Sequence, residues 1–196
     1  MRLRIAALLL LCCVACAHRG PYDVEPDVIG PPVVRTQAEN PRARAVWLAV
    51  LELYAAGTIE SKAAAIVGAS AAARGSAQVP RTRIVLMDST SHPYPRAWLD
   101  SLFAQHLVDG VCPATDIRRC PGAAATSFLS FGDPAFAGDT AVDVVVDDQS
   151  RDPAACRRRG VHALGGFIRA VLHLARHQGP WRLMESTTTA AGDYGC

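Results

Sequence analysis

Residues 139–190 constrain the fold more than any other part of the chain, because their pattern is that of neighbouring β-strands. Over residues 140–148, β-branched valines alternate with polar residues, which is typical of a strand with one buried face. The valines are Val142, Val144 and Val146, and the residues on the opposite face include Asp143 and Asp147. Three consecutive threonines at 187–189 favour extended backbone for the same steric reason.

The segment 167–176 fits two patterns. As a strand it places Ile168, Leu172 and Leu174 on one face and Arg169 and His173 on the other. As a helix it would gather its basic residues on one polar side, with a glycine and a proline just past its end, and its leucines and alanines favour that reading. A short Gly-Pro turn between two apolar runs is typical of a hairpin. We therefore favour a strand and keep the helix as the alternative.

The preceding part of the chain alternates helices and strands. Asn40-Pro41 is a typical helix start, with asparagine as the cap and proline in the first turn. The alanine-rich residues 61–74 favour a second, weaker helix, and another helix begins near Pro95. Residues 83–87 and 126–131 predict strands, and residues 132–138 predict a loop. We predict one α+β domain over residues 39–196. In it, helices pack on one face of a curved antiparallel sheet that ends in a three-stranded meander.

Length and charge narrow the function classes. With 196 residues, one domain is the default. The formal net charge is +2, so we expect no nucleic-acid partner. No cofactor-binding motif stands out, and we expect no cofactor.

The N-terminus has the pattern of an export signal. Arg2 and Arg4 precede an apolar run over residues 5–14, which is shorter than the roughly 20 residues of a membrane-spanning helix. The following Val14-Ala15-Cys16 resembles a bacterial lipobox, although a cysteine stands at 13 where leucine is usual. We predict a signal peptide over 1–16 and lipidation of Cys16, which would anchor the protein stably. Cleavage after Ala17, giving a secreted soluble protein, is the alternative.

A proline-rich segment separates this signal from the domain. Residues 17–38 contain four prolines, at 21, 26, 31 and 32, and few bulky apolar residues. Proline disfavours helix and sheet and leaves an extended chain. We predict a linker that holds the domain off a membrane. The alanine after Cys16 resembles outer-membrane sorting, which implies the periplasmic side of the cell envelope.

Four cysteines follow the signal region: Cys112, Cys120, Cys156 and Cys196. An even number in an exported chain favours disulfides. Cys112 and Cys120 bracket a short loop, and the predicted meander would bring Cys156 and Cys196 to one end of the sheet. We predict those two disulfides. The spacing lacks the close pairs of a zinc site, so no metal is expected.

One group of polar residues in the meander is a candidate catalytic site. Asp143, Arg169, His173 and Glu185 could lie in one sheet-lined pocket and act as acid–base groups. The other interpretation, which we favour, is a solvated sheet face with weak cross-strand ion pairs.

A second group follows the strand over residues 83–87. It consists of Asp88, Ser89, Ser91 and His92. A serine nucleophile with a histidine base is one interpretation, and a capped turn is the other. The chain lacks a Gly-x-Ser-x-Gly nucleophile elbow, which favours the turn.

The order of two helices and then strands that end in Gly179-Pro180-Trp181 resembles uncharacterised exported bacterial proteins with a C-terminal β-meander. It is also loosely similar to the cone fold of nuclear transport factor two and the polyketide cyclases. That resemblance implies both enzymes and binding modules, and it assigns no residue a role. We predict a non-enzymatic envelope module that binds a small ligand or a protein partner. The alternative is a cone-fold hydrolase or isomerase that uses Asp143 and His173.

Overall fold

A seven-stranded mixed sheet carries the fold in the computed structural model, which describes residues 33–65, 82–113, 120, 126–151 and 165–194. Its helices are α1 (Pro41–Ala55) and α2 (Arg96–Ala104). Its strands are β1 (Arg83–Met87), β2 (Gly110–Cys112), β3 (Thr126–Phe131), β4 (Ala135–Ala137), β5 (Ala141–Arg151), β6 (Gly165–Ala175) and β7 (Arg182–Tyr194). The predicted α+β class is confirmed at this level.

The strands run in the order β2-β1-β3-β5-β6-β7, and β4 pairs with β5. β5, β6 and β7 are antiparallel neighbours, but β1 is parallel to both β2 and β3. The prediction of a wholly antiparallel sheet is therefore wrong. For β2 the physical reason is α2, because a helical crossover between β1 and β2 returns the chain to the same end of the sheet and makes β2 parallel to β1.

Residues 167–176, which fit two patterns, and the predicted loop over residues 132–138 both contain strands. Residues 165–175 form β6, so the strand interpretation of residues 167–176 is correct and the helix interpretation is not. Within the predicted loop 132–138, the three residues of β4 pair with β5. Three residues are too few to show a period of two, which is why this strand has no recognisable sequence pattern.

One face of the sheet, which we call the closed face, carries the main core. The three alternating valines of β5 are each 1% exposed on this side. They share one apolar cluster with Trp47 and Leu51 of α1 and with Leu102 of α2. Asn40 caps α1 as predicted, because its side chain accepts a hydrogen bond from the Arg42 amide at 2.9 Å. Trp47 is fully buried and donates its indole N–H to the Gly132 carbonyl at 3.0 Å.

Residues 33–38, which we call the strap, lie against the carboxyl ends of β1 and β3. The amides of Thr36 and Gln37 donate to Asp133, which follows β3, over 2.8 to 2.9 Å. A Cβ atom on Gly132 would lie 2.9 Å from Cγ1 of Val33, so glycine is needed for the strap to approach this closely. Val33 and the rest of the strap, which fall within the predicted linker over residues 17–38, thus contact the folded body.

Three of the sequence predictions concern cysteines: lipidation of Cys16 and two disulfides. The sulfur atoms of Cys112 and Cys120 lie 1.98 Å apart, at bonding distance, with their Cα atoms 5.5 Å apart. Cys16, Cys156 and Cys196 lie outside the described residues.

Among the helices that the structure describes, none combines the length and the hydropathy needed to cross a membrane.

Candidate functional site

The predicted catalytic residues lie on the second face of the sheet, which we call the open face. Asp143 of β5 is paired with His173 of β6, which is paired in turn with Glu185 of β7. Nδ1 of His173 lies 2.8 Å from Oδ1 of Asp143. The two side chains are 36% and 54% exposed, respectively, and Glu185 is also exposed. The structure therefore brings Asp143 and His173 into contact, at a position open to solvent.

Arg169, the third candidate, contacts a different carboxylate. Its Nε and Nη2 atoms donate to the two oxygens of Asp147 at 2.6 and 2.7 Å. These hydrogen bonds raise the pKa of the guanidinium above its ordinary value. The two side chains are only 13% and 9% exposed, in contrast to the neighbouring histidine pair. A bidentate pair of this kind is strong and directional, which indicates a structural role for Arg169.

The loop after β1 is a capped turn. Oδ1 of Asp88 accepts the amides of Ser89 and Tyr94 at 2.9 and 3.0 Å, and the hydroxyls of Ser89 and Ser91 lie 3.0 Å apart. The Ser89 hydroxyl also accepts the His92 amide at 3.4 Å. Asp and Ser side chains that bond nearby backbone donors are the usual elements of such turns.

The strap closes this turn from the outside. Nη2 of Arg35 lies 2.6 Å from Oδ1 of Asp88 and 2.9 Å from the His92 carbonyl oxygen. The same guanidinium stands 3.5 Å from the ring centroid of Tyr94, within cation–π range. Burial raises the pKa of the Tyr94 hydroxyl. Asp88 therefore joins the strap to the turn, because its Oδ1 atom contacts both Arg35 and the turn amides.

A cavity of about 660 Å³ lies at the end of α1, beside the start of β1 and the loop that leads into β2. Its described lining is Tyr54, Ala55, Gly57, Ile59, Glu60, Ser61, Ala64, Thr82, Ile84, His106, Leu107 and Asp109. The lining combines aliphatic side chains with hydroxyl, carboxyl and imidazole groups. Oδ2 of Asp109 accepts the amide of Ile84 at 2.9 Å, which fixes this wall to the first strand.

Asp148 lies behind the wall of the cavity, on the closed face of the sheet. It is 3% exposed, and its Oδ2 accepts the amide of Lys62 at 2.6 Å. Among the described residues, its Oδ1 has no hydrogen-bond partner. Burial raises the pKa of this carboxyl group to about 7, and the Lys62 amide, the Ser127 hydroxyl and the Lys62 charge only partly oppose that effect.

Tyr54 connects Asp148 to the cavity. Burial raises the pKa of the Tyr54 phenol well above its ordinary value, and the nearby charge of Asp148 raises it further. Because Tyr54 also lines the cavity, the charge of Asp148 affects a group in the cavity wall.

No group of three or more His, Cys, Asp or Glu side chains in the described ranges has an arrangement suited to a metal ion.

Sequence reasoning did not single out the cavity residues or Asp148. A signal for Asp148 was present, because it follows Val142, Val144 and Val146 at even spacing and must share their face of β5. The cavity had no comparable signal, since its walls come from segments that are far apart in the sequence.

Comparisons of the chain with protein-family models, with curated proteins and with solved structures find no match.

Proposed function

We propose that this protein is a lipid-anchored binding module of the bacterial envelope, and that its cavity takes a small ligand with both apolar and polar groups. The observation that carries the proposal is the cavity of about 660 Å³. Ligand sites for small molecules are usually clefts of roughly 300–1,000 Å³, lined by apolar side chains with a few convergent polar groups. The lining by Ile59 and Leu107 beside Glu60 and Thr82 has this character.

Binding can be tested with the neutral, apolar fluorescent probe N-phenyl-1-naphthylamine. We expect a saturable rise in probe fluorescence with the purified protein. Ala64, half-buried in the cavity wall, offers a filling substitution. Ala64→Phe should weaken probe binding at least about tenfold, because the added ring occupies the volume that the probe needs and displaces its apolar contacts.

Ala45→Phe is the matched control, since Ala45 is exposed on α1 and outside the described lining of the cavity. It should bind the probe like the unchanged protein. Native mass spectrometry of protein released from membranes in mild detergent provides a second measurement, the mass of any co-purifying small molecule. Absence of both saturable probe binding and a co-purified molecule would contradict the proposal.

The membrane anchor is tested separately. Cys16→Ser removes the thiol that a lipid would modify, so the protein should move from the membrane fraction to the soluble fraction. Fractionation with detection by antibody measures this shift, and labelling with radioactive palmitate should disappear in parallel. If the variant stays with the membranes and keeps its label, the lipobox interpretation is wrong. The same fractionation tests the predicted sorting to the outer membrane.

A second candidate function is acid–base catalysis by the Asp143–His173 pair, in a hydrolase or isomerase of the loosely similar cone fold. The hydrogen bond of 2.8 Å between them favours it, because a carboxylate that orients an imidazole is a common catalytic arrangement. Hydrolysis of p-nitrophenyl acetate or p-nitrophenyl phosphate that is lost in His173→Ala, and kept in the exposed control His177→Ala, would support this candidate. Equal background rates in all three proteins would reject it.

A further inference from the structure

We infer that Asp148 makes the cavity responsive to pH: when its carboxyl group is protonated, residues 61–65 are held against the sheet as part of the cavity wall, and ionisation of that group loosens them. This inference rests on the proposed function, since it concerns regulation of the same cavity.

Residues 61–65 attach to the sheet through backbone amides. The Lys62 amide donates to Asp148 of β5 at 2.6 Å, and the Ala63 amide donates to the hydroxyl of Ser127 of β3 at 3.2 Å. Ala63 is 2% exposed, so the segment is seated in the closed face. Ser61 and Ala64 also line the cavity. A change in the strength of the hydrogen bonds from the Lys62 and Ala63 amides therefore changes the stability of this part of the cavity wall.

The groups that face Asp148 do not offset its charge when it is buried. Tyr54 of α1 has its own pKa raised, and it stays neutral beside the carboxyl group. Lys62 provides an amide and a cation, yet the cation acts too weakly to outweigh burial. Ser127 of β3 and Ile168, the register partner on β6, carry no charge. A buried carboxylate with one oxygen lacking a described partner is costly unless water reaches it.

The sign of the effect follows from proton linkage. With residues 61–65 seated, the pKa of Asp148 is raised from its ordinary 3.8 to about 7. When the segment lifts and water enters, the pKa returns towards 3.8. The seated form therefore binds one more proton between these values, and seating weakens by up to about tenfold for each pH unit from 4 to 7, with no further change above 7.

Amide hydrogen exchange on the full-length protein without ligand tests the inference. Peptides that cover residues 58–65 are followed by mass spectrometry at pH 5 and pH 8, with exchange times corrected for the intrinsic pH dependence. Protection of these amides should fall by roughly 10- to 100-fold at pH 8. In Asp148→Asn, where the side chain stays neutral, protection should be the same at both pH values. Asp100→Asn, an exposed carboxamide control on α2, should behave like the unchanged protein.

A second measurement keeps the test independent of whether Asp148→Asn folds. The ¹³C carboxyl resonance of Asp148 in the unchanged protein should titrate with a midpoint near 7. A midpoint near 3.8, or equal protection at pH 5 and pH 8 in the unchanged protein, overturns the inference. Probe binding without pH-dependent exchange would reject this inference alone, whereas pH-dependent exchange with neither probe binding nor a co-purified molecule would reject the proposed function.

Discussion

The two faces of the sheet hold charge in opposite ways, and two consecutive aspartates of β5 show the difference. Asp147 points to the open face, where both of its oxygens accept hydrogen bonds from Arg169. Asp148 points to the closed face, where an amide is its shortest described contact and burial raises its pKa to about 7. The alternation of a strand thus assigns neighbouring residues to unlike surroundings. The open face supports paired charges, and the closed face favours a neutral carboxyl group.

The closed face should depend most on packing, and Trp47→Ala should have the largest effect in the molecule. Trp47 is 0% exposed and stacks on Phe131 with ring centroids 6.4 Å apart. Its removal leaves a large cavity and frees the Gly132 carbonyl from its indole partner. We expect the free energy of unfolding to fall by about 4 kcal/mol, as measured by urea titration.

Trp98 provides the comparison for that change. It packs near Trp47, with ring centroids 6.0 Å apart, but it is only half-buried. Trp98→Ala should therefore lower the free energy of unfolding by about 2 kcal/mol, because less apolar area returns to water. Equal losses for the two variants would mean that the closed face is not sealed around Trp47.

Where β5 and β6 meet on the open face, stability should depend instead on the ion pair of Asp147 and Arg169. Arg169→Ala would leave Asp147, whose side chain is 9% exposed, without its bidentate partner. Removal of one partner of a buried pair strands a charge, so we expect a loss of about 3 kcal/mol. The double variant Asp147→Ala/Arg169→Ala should be more stable than Arg169→Ala alone, because it removes the stranded carboxylate. If the double variant is less stable than Arg169→Ala, an unpaired Asp147 carboxylate is not costly at this site, which contradicts the prediction.

Much of this architecture could be predicted from the sequence, because it depends on local pattern. The valine alternation in β5 and the Asn40-Pro41 helix start both specify their structures within a few residues. The parallel pairing of β1 could not be read in this way, since β2 has only three residues. The sequence feature that indicates it, for the pairing with β2, is the helix between these two strands, which is typical of a crossover connection.

The candidate site was harder to predict than the fold. The contact between Arg35 and Asp88 joins residues 53 positions apart, and nothing in the local sequence of either residue indicates the other. Arg169, Asp143 and His173 all lie on polar positions of neighbouring strands, so their sequence pattern predicts one group. Register decides between the available carboxylates, and it pairs Arg169 with Asp147 instead. Register over eleven residues depends on turns and bulges that composition does not reveal.

The pH dependence of global stability should separate the two aspartates. The raised pKa of Asp148 means that its contribution is fully present below about pH 4 and is lost as pH rises through 7. Between pH 5 and pH 8 the unchanged protein should lose about 2 kcal/mol of unfolding free energy from this group. Asp148→Asn should remove that loss, as measured by urea titrations at both pH values. Asp100→Asn should keep it, and a persistent loss in Asp148→Asn would assign the dependence to another group.

The smallest effect should come from the exposed pair on the open face. Asp143 is 54% exposed and His173 is 36% exposed, so water and salt screen their attraction. A double-mutant cycle with Asp143→Ala and His173→Ala should give a coupling of less than about 1 kcal/mol, and added salt at 0.5 M should reduce it further. A coupling above about 2 kcal/mol that resists salt would mean that the pair is shielded from solvent. The comparison between the faces would then fail at this position, and acid–base catalysis by the pair would gain support over a solvated cross-strand contact.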